Sequence, residues 1–207
     1  MTPTQPFGAG DCLEVRVATD SSGSVSLSAP GCTFNPIASN VDGGGNQLLV
    51  FLATGLPATA PTITITWPSG NGHNLQAIAS EWAGLAASPF VQYSAGNTVF
   101  ANATTAPLTT TSGNLLSGGF TDSFGGLAEG SFSAGTGEVA GQTSGYGTPP
   151  IWASDFIPSG PGGSITYTSK GSGGYTNAIL IEYAVATAPP TNNNITTNDA
   201  IFFGVNC

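Results

Sequence analysis

Two glutamates are the residues whose type and setting come nearest to acid–base chemistry. Glu81 and Glu182 each stand in an apolar stretch, beside Trp82 and Tyr183. Two carboxyls about 5–10 Å apart serve glycoside hydrolysis as acid and base. The plainer expectation is adopted for both: a carboxylate on a strand that points to solvent or accepts a bond from a loop backbone. His73 lies in Gly70-Asn71-Gly72-His73-Asn74 with no partner near it in sequence, and reads as a polar loop residue. No G-x-S-x-G nucleophile elbow occurs. Gly135-Thr136-Gly137-Glu138-Val139-Ala140 matches the G-x-G-x-x-A dinucleotide pattern in letters only, because a Gly/Pro-rich stretch follows it where a helix is needed. No catalytic residue is assigned, and the chain is read as not being an enzyme.

Metal and ligand chemistry is thin as well. Asp20, Asp42 and Asp155 are expected in loops flanked by Ser, Gly or Asn, a setting that suits calcium. There is no D-x-D-x-D-G loop and no C-x-x-C spacing, so calcium is the one ion considered and no metal or cofactor is assigned. A sugar site needs exposed aromatic faces; Tyr146, Trp152 and Tyr175 fall in Gly-rich segments and are the candidate ligand contacts, while Trp67 and Trp82 fall on strands and are expected in the core. Cys12 and Cys32 lie on neighbouring strand candidates. They either pair, which would add about 3 kcal/mol by loop closure, or remain two buried thiols. Cys207 is expected to be unpaired within the monomer.

These residues must be held by β structure. Thr and Val suit a pleated surface and Gly, Pro and Asn suit turns, whereas the Leu/Glu/Lys/Arg stretches of surface helices are missing. Hydrophobic residues make up 40% of the 207, enough for a real core despite 30 Gly and 15 Pro. Strand-like runs are Cys12–Thr19, Ser24–Ala29, Gln47–Leu56, Thr62–Trp67, Leu75–Leu85, Val91–Ser94, Leu115–Phe120, Ser164–Ser169 and Ala178–Ala186. Thr62–Trp67 (TITITW) alternates, with Ile63, Ile65 and Trp67 on one face and threonines on the other. Breakers such as Asp42–Asn46 and Pro68–Gly72 separate the runs. The expected fold is all-β, a two-sheet antiparallel sandwich of jelly-roll or immunoglobulin-like kind with extended terminal arms. Residues 1–10 form an N-terminal arm and 11–186 the sandwich domain, with 125–163 a long Gly/Pro-rich excursion. Residues 187–207 form a C-terminal arm, in which Ala200–Val205 (AIFFGV) is either a frayed last strand or a strand donated to another subunit.

Charge removes several functions. Only Arg16 and Lys170 are basic, against eleven carboxylates, for a formal charge of −9. Such a chain repels phosphate backbones and anionic membranes, so neither nucleic acid nor membrane is expected as a partner. It contains no apolar run of about 18 residues that would cross a bilayer as a helix. Met1–Gly10 lacks a basic start followed by an apolar stretch. The expectation is therefore a leader already removed or export by another route, such as release of a virus particle by lysis.

Four stretches carry a family resemblance. Gly10-Asp11-Cys12-Leu13-Glu14-Val15 is similar to a "GD-x-L-x-V" strand, Ile78–Leu85 to an "E-[YFW]-x-G-[LV]" strand, and Gly113–Gly118 to a "G-D-L-L-x-G" strand with Asn114 in place of Asp. Ala178–Tyr183 is similar to a closing apolar strand. Together, over about residues 8–186, they resemble the immunoglobulin-like or jelly-roll β-sandwich domain of bacterial surface and phage virion proteins. The resemblance implies a sandwich without catalytic residues and leaves the tail beyond 187 unexplained.

The expected function is that of a non-enzymatic structural protein of an extracellular assembly, at a virion surface or otherwise outside the cell, and most specifically a capsid decoration (cement) protein. Its partners would be its own copies, a major capsid or other assembly protein, or glycans. Ile201, Phe202, Phe203 and Val205 would be the apolar anchors of the contact. The alternative is a secreted bacterial carbohydrate-binding module, or a filament or pilus subunit that polymerises through its terminal arm.

Overall fold

The computed structural model describes residues 3, 5–20, 23–67, 75–122, 130–134, 151–170, 174–187 and 197–205, with 151–154 and 197–205 described in backbone only. All regular structure among them is β-strand, and every strand pairing is antiparallel.

In chain order the strands are β1 (Cys12–Thr19), β2 (Ser26–Ser28), β3 (Asn35–Val41), β4 (Gln47–Thr54), β5 (Thr64–Thr66), β6 (Leu75–Trp82), β7 (Leu85–Val99) and β8 (Leu108–Thr110). They continue with β9 (Leu115–Asp122), β10 (Ser131–Phe132), β11 (Ile151–Ile157), β12 (Gly163–Ile165), β13 (Tyr167–Thr168), β14 (Tyr175–Val185) and β15 (Thr197–Val205). Two larger sheets dominate: a five-stranded one in the order β15-β6-β1-β4-β3 and a four-stranded one in the order β11-β9-β14-β7. Three two-stranded pieces, β2–β5, β8–β12 and β10–β13, complete the set.

Alternation along the strands sorts the core into layers. One hydrophobic cluster takes Leu48, Val50, Leu52 and Trp82 from the five-stranded sheet and Leu115, Phe156, Ile179, Ile181 and Tyr183 from the four-stranded sheet. The Trp82 and Phe156 rings meet edge-on at 5.1 Å across this layer. Two sheets that share one cluster of inward side chains are consistent with a β-sandwich. The outer faces are covered too. Leu13, Val15, Val17, Phe51, Ala77 and Ala79 pack under Phe7, Leu56 and Ile63 and the β2–β5 ribbon, and Leu116, Phe120 and Leu180 pack under Phe132, Ile165 and Tyr167 of the small ribbons. This double covering explains why all eight residues of β1, of β6 and of β9 are buried.

The sequence reading places β1 at its bounds, and the TITITW alternation appears as expected: Ile63 is buried, Ile65 and Trp67 are half-buried, and Thr62, Thr64 and Thr66 are exposed. Other elements differ. The run Leu75–Leu85 breaks at Gly84, whose φ of 75° turns the chain, and β7 then continues for 15 residues where four were expected. Asn35–Val41 carries Pro36 and two asparagines and gives little strand signal, yet it forms the edge strand β3. Edge positions tolerate such residues because half of their backbone groups need no ladder partner.

Candidate functional site

The layer between the two large sheets is not purely apolar. β1 points Glu14 and Arg16 into it, both 1% exposed. Arg16 Nε donates to Glu14 Oε1 at 2.6 Å, and its Nη2 donates to Ser117 Oγ of β9 at 2.9 Å. Ser117 Oγ donates to Glu14 Oε1 at 3.2 Å, and the Tyr183 hydroxyl of β14 donates to Glu14 Oε2 at 2.6 Å. Arg16 Nη1 is buried without a hydrogen-bond partner. One of the two basic residues of the chain is thus sealed in its core. Burial opposes the guanidinium charge, but the adjacent Glu14 carboxylate more than offsets it and holds the Arg16 pKa above its ordinary value. Burial, and then the Glu14 charge, raises the Tyr183 phenol well above its usual range. No group here reaches solvent, so the network ties the sheets together and leaves no opening for a substrate.

The other carboxylates are engaged in the same way. Asp42 closes the Asp42–Asn46 turn by accepting from Gly44 N, Asn46 N and Asn46 Nδ2, and it accepts from Asn177 Nδ2 of β14 at 3.1 Å. Tyr175 lays its ring over this turn; a Cβ on Gly44 would come within 2.8 Å of it. Asp155, expected in a loop, lies instead on β11, fully buried, where it accepts from the Tyr167 hydroxyl at 2.6 Å and from Gly130 N at 2.9 Å. Asp42 and Asp155 thus serve as internal hydrogen-bond acceptors that tie a turn and the β10–β13 ribbon to the four-stranded sheet. Asp20 is half-buried just beyond β1. No group of three or more metal-ligating side chains occurs among the described residues.

Glu81 and Glu182 do not come together. Cross-strand neighbours share a face, and Glu81 stands opposite Leu13 while Glu182 stands opposite Leu116. Leu13 and Leu116 belong to the two different outer clusters, so the glutamates face away from each other. Glu182 accepts from Gln92, from Thr111 N at 2.7 Å and from Asn114 Nδ2 at 2.7 Å. Glu81 accepts from Gly8 N at 2.6 Å and shares a side-chain hydrogen bond with Asp11. Burial first, tempered by that shared hydrogen bond, raises the Asp11 pKa. Burial also raises Glu81, with the Asp11 charge adding to it. This carboxyl pair, missed in the sequence, fastens the N-terminal segment to the end of β6. Its only sequence signal is an Asp immediately before β1, which the register then sets near Glu81.

The two cysteines are free thiols: Cys12 is in the cluster between the sheets, and Cys32 packs against the outer cluster under β2–β5. They lie on different sides of the five-stranded sheet and do not pair; of the two, Cys12 is buried and Cys32 is half-buried. Burial, with the charge of Asp11 second, lifts the Cys12 thiol to about 11. His73, Tyr146, Cys207 and the Gly135–Ala140 pattern lie outside the described residues, as does the side chain of Trp152.

Two surface features remain. The exposed large hydrophobic residues among those described are Val41, Phe90, Val91, Tyr93, Val99 and Phe100. All lie on β3, on β7 or just past it, and these are the edge strands of the two sheets on one side of the molecule. Asn40 Nδ2 donates to Gly96 O at 2.8 Å and Asn97 Nδ2 to Val41 O at 3.2 Å, joining the two edges. Phe90 stands opposite Tyr183 and Tyr93 opposite Ile181, so both belong to the inward face of the sheet but are left uncovered at its rim. Phe100 is 73% exposed and has a φ of 55°, a left-handed conformation uncommon for a bulky residue. The second feature is β15. It carries Ile201, Phe202, Phe203 and Val205 and pairs with the outer edge of β6, placing Ile201 opposite Ala79, Phe202 opposite Ile78, Phe203 opposite Ala77 and Val205 opposite Leu75.

No protein-family model matches this chain, and no curated protein or solved structure matches it. The stretches that carry the resemblance fall on β1, on the end of β6, on β9 and on β14.

Proposed function

We propose that this chain is a non-enzymatic structural protein of an extracellular assembly, of the kind that decorates a phage capsid at the virion surface. In this reading its surfaces contact its own copies or a major capsid protein. The observation that carries it is the grouping of exposed apolar side chains on the β3–β7 edge. Single exposed apolar residues are ordinary, but here all the exposed large apolar residues among those described fall along two adjoining edge strands or just past one, which supports a contact surface there. Neither β3 nor β7 contains a charged residue, in a chain whose formal charge is −9. That edge is where another surface can approach without meeting a carboxylate. The engagement of Glu14, Asp42, Asp155 and Glu182 in internal bonds supports a structural role over a catalytic one.

A filament or pilus subunit is the second reading, favoured by the seating of the C-terminal segment as an edge strand. Glycan binding through Tyr146, Trp152 and Tyr175 has less support, because Tyr175 lies against its own turn at Gly44.

The test is the mass in solution and the shell binding of the Tyr93→Asp/Phe100→Asp variant, by light scattering and co-sedimentation. The reading expects association to fall at least tenfold with an unchanged circular dichroism spectrum. Unchanged association by the folded variant would overturn the assignment of this edge.

A further inference from the structure

We infer that β15 is an exchangeable strand, which in the assembled state pairs with the β6 edge of a second copy in the register it takes within its own chain. This rests on the assembly reading and names the partner: another molecule of the same protein.

The seat for the strand is defined by the chain itself. β15 is outermost in its sheet, so β6 is the only strand beside it, and without β15 the outward N–H and C=O groups of β6 have no ladder partner. β6 is no ordinary edge: all eight of its residues are buried, with Ala77 and Ala79 in one cluster and Trp82 in another. A strand buried along its whole length, with its backbone groups out of reach of water, needs a neighbour to complete its ladder. β15 meets that need with a run whose only charged member, Asp199, falls at the register shift between Asn198 and Ile201.

The connection makes the source of that neighbour variable. β14 belongs to the other sheet, so β15 is not the second arm of a hairpin held by a tight turn. Residues 186–196 join them with the sequence Ala-Thr-Ala-Pro-Pro-Thr-Asn-Asn-Asn-Ile-Thr. A segment of this length reaches on the order of 35 Å when extended, enough for the edge of an adjacent molecule. The ladder bonds are the same whether the strand comes from its own chain or another, which is why exchange of an identical element is a low-cost route to association. What changes is concentration. A connection of eleven residues supplies an effective concentration on the order of millimolar, so a dilute solution favours the closed monomer, and crowding on a shell or in a filament favours exchange. Each copy both gives and receives a strand, so the contact either closes into a pair or propagates.

Register supplies the test. Phe203 stands directly opposite Ala77, and opposite residues of an antiparallel pair have Cβ atoms about 5 Å apart, close enough for a disulfide with slight adjustment. The Ala77→Cys and Phe203→Cys full-length variants, each with Cys12→Ala, Cys32→Ser and Cys207→Ser so that no native thiol competes, are unfolded, mixed, refolded together near millimolar concentration and oxidised. The double variant Ala77→Cys/Phe203→Cys in the same background serves as the intramolecular control. The expected result is a covalent dimer of one chain of each kind, identified by mass, in several-fold excess over either variant refolded alone. The double variant at low concentration should close within the monomer. No excess dimer in the mixture, with the double variant closing internally, would overturn exchange; no disulfide in the double variant would overturn the register itself. Oligomers that form without the mixed disulfide, and that Tyr93→Asp/Phe100→Asp dissolves, would remove strand exchange while leaving the assembly reading intact.

Discussion

At the scale of single residues, several of the few ionisable groups have identifiable tasks. Arg16 and Glu14 form a buried pair that Ser117 and Tyr183 complete. Removing one partner of such a pair strands a charge and costs about 3–5 kcal/mol, whereas apolar replacement of both is often neutral or stabilising. Arg16→Met is therefore expected to lower stability by that amount in chemical denaturation, and Glu14→Leu/Arg16→Met to recover most of it. A double variant as unstable as the single one would show that the network itself, not charge compensation, is what the core requires. The Asp11–Glu81 pair sets a pH dependence. Both pKa values are raised by folding, so the folded state holds protons more tightly than the unfolded chain between the ordinary carboxylate range and the raised values. Stability from this pair is full below the ordinary carboxylate range and is lost as pH rises through the raised values. Glu81→Gln keeps a hydrogen-bonding group without the charge and is expected to flatten the thermal-midpoint profile above about pH 4, near the ordinary carboxylate values. A profile identical to that of the unaltered chain would remove the pair as its source.

At the scale of elements, the informative strands are those at edges. β7 passes so close to the Ala103–Thr105 segment that a Cβ on Gly96 would meet the Thr104 carbonyl carbon at 2.7 Å. Gly96→Ala must push that segment off the sheet and is expected to lower stability by about 1–3 kcal/mol, as overpacking does, with increased proteolysis between residues 100 and 110. If Gly96→Ala is as stable as the parent, the approach is looser than described. For β15 the expectation follows from burial in β6. Deleting residues 197–205 leaves the ladder groups of β6 unpaired, so the truncated chain should aggregate at concentrations where the full chain does not, as scattering measured against time would show. Elements of this kind were partly legible in the sequence. β1, β4, β6, β9 and β14 announce themselves as apolar runs bounded by Gly, Asn or Asp. β3 does not, because Asn35, Pro36 and Asn40 are poor strand formers that an edge tolerates and a neighbour recruits. The length of β7 was hidden by its own composition: Gly96 and Asn97 have little strand propensity and follow the ladder set by β14, while Ala86, Ala87 and Ser88 fall at the irregularity between its Phe90 and Leu85 pairs.

At the scale of the whole molecule, the proposed association would draw on a different surface from the layers that hold the fold together. The core is divided into layers, and among the described residues the large apolar side chains left exposed lie on β3, on β7 or just past it. On the proposed reading, self-association through that edge would be driven by apolar burial, not by attraction between charges. It is therefore expected to strengthen or hold steady as salt rises from low to physiological concentration, because salt screens the repulsion between chains of like charge. Light scattering across a salt series checks this; dissociation by salt would point instead to an electrostatic contact.

The sequence by itself determined the all-β class, the principal strands and the lack of a catalytic motif, since alternation, turn residues and charge count act locally and survive without knowledge of contacts. It left open whether Cys12 and Cys32 pair, whether Glu81 and Glu182 meet, where Asp155 lies and what AIFFGV sits beside. Those answers depend on which face each strand turns inward and which edges are adjacent, and only the tertiary register decides that. One residue of register moves a side chain from one face of a sheet to the other, so Cys12 and Cys32 separate to different sides, Glu81 and Glu182 turn apart, and Asp11, silent in the sequence, finds Glu81.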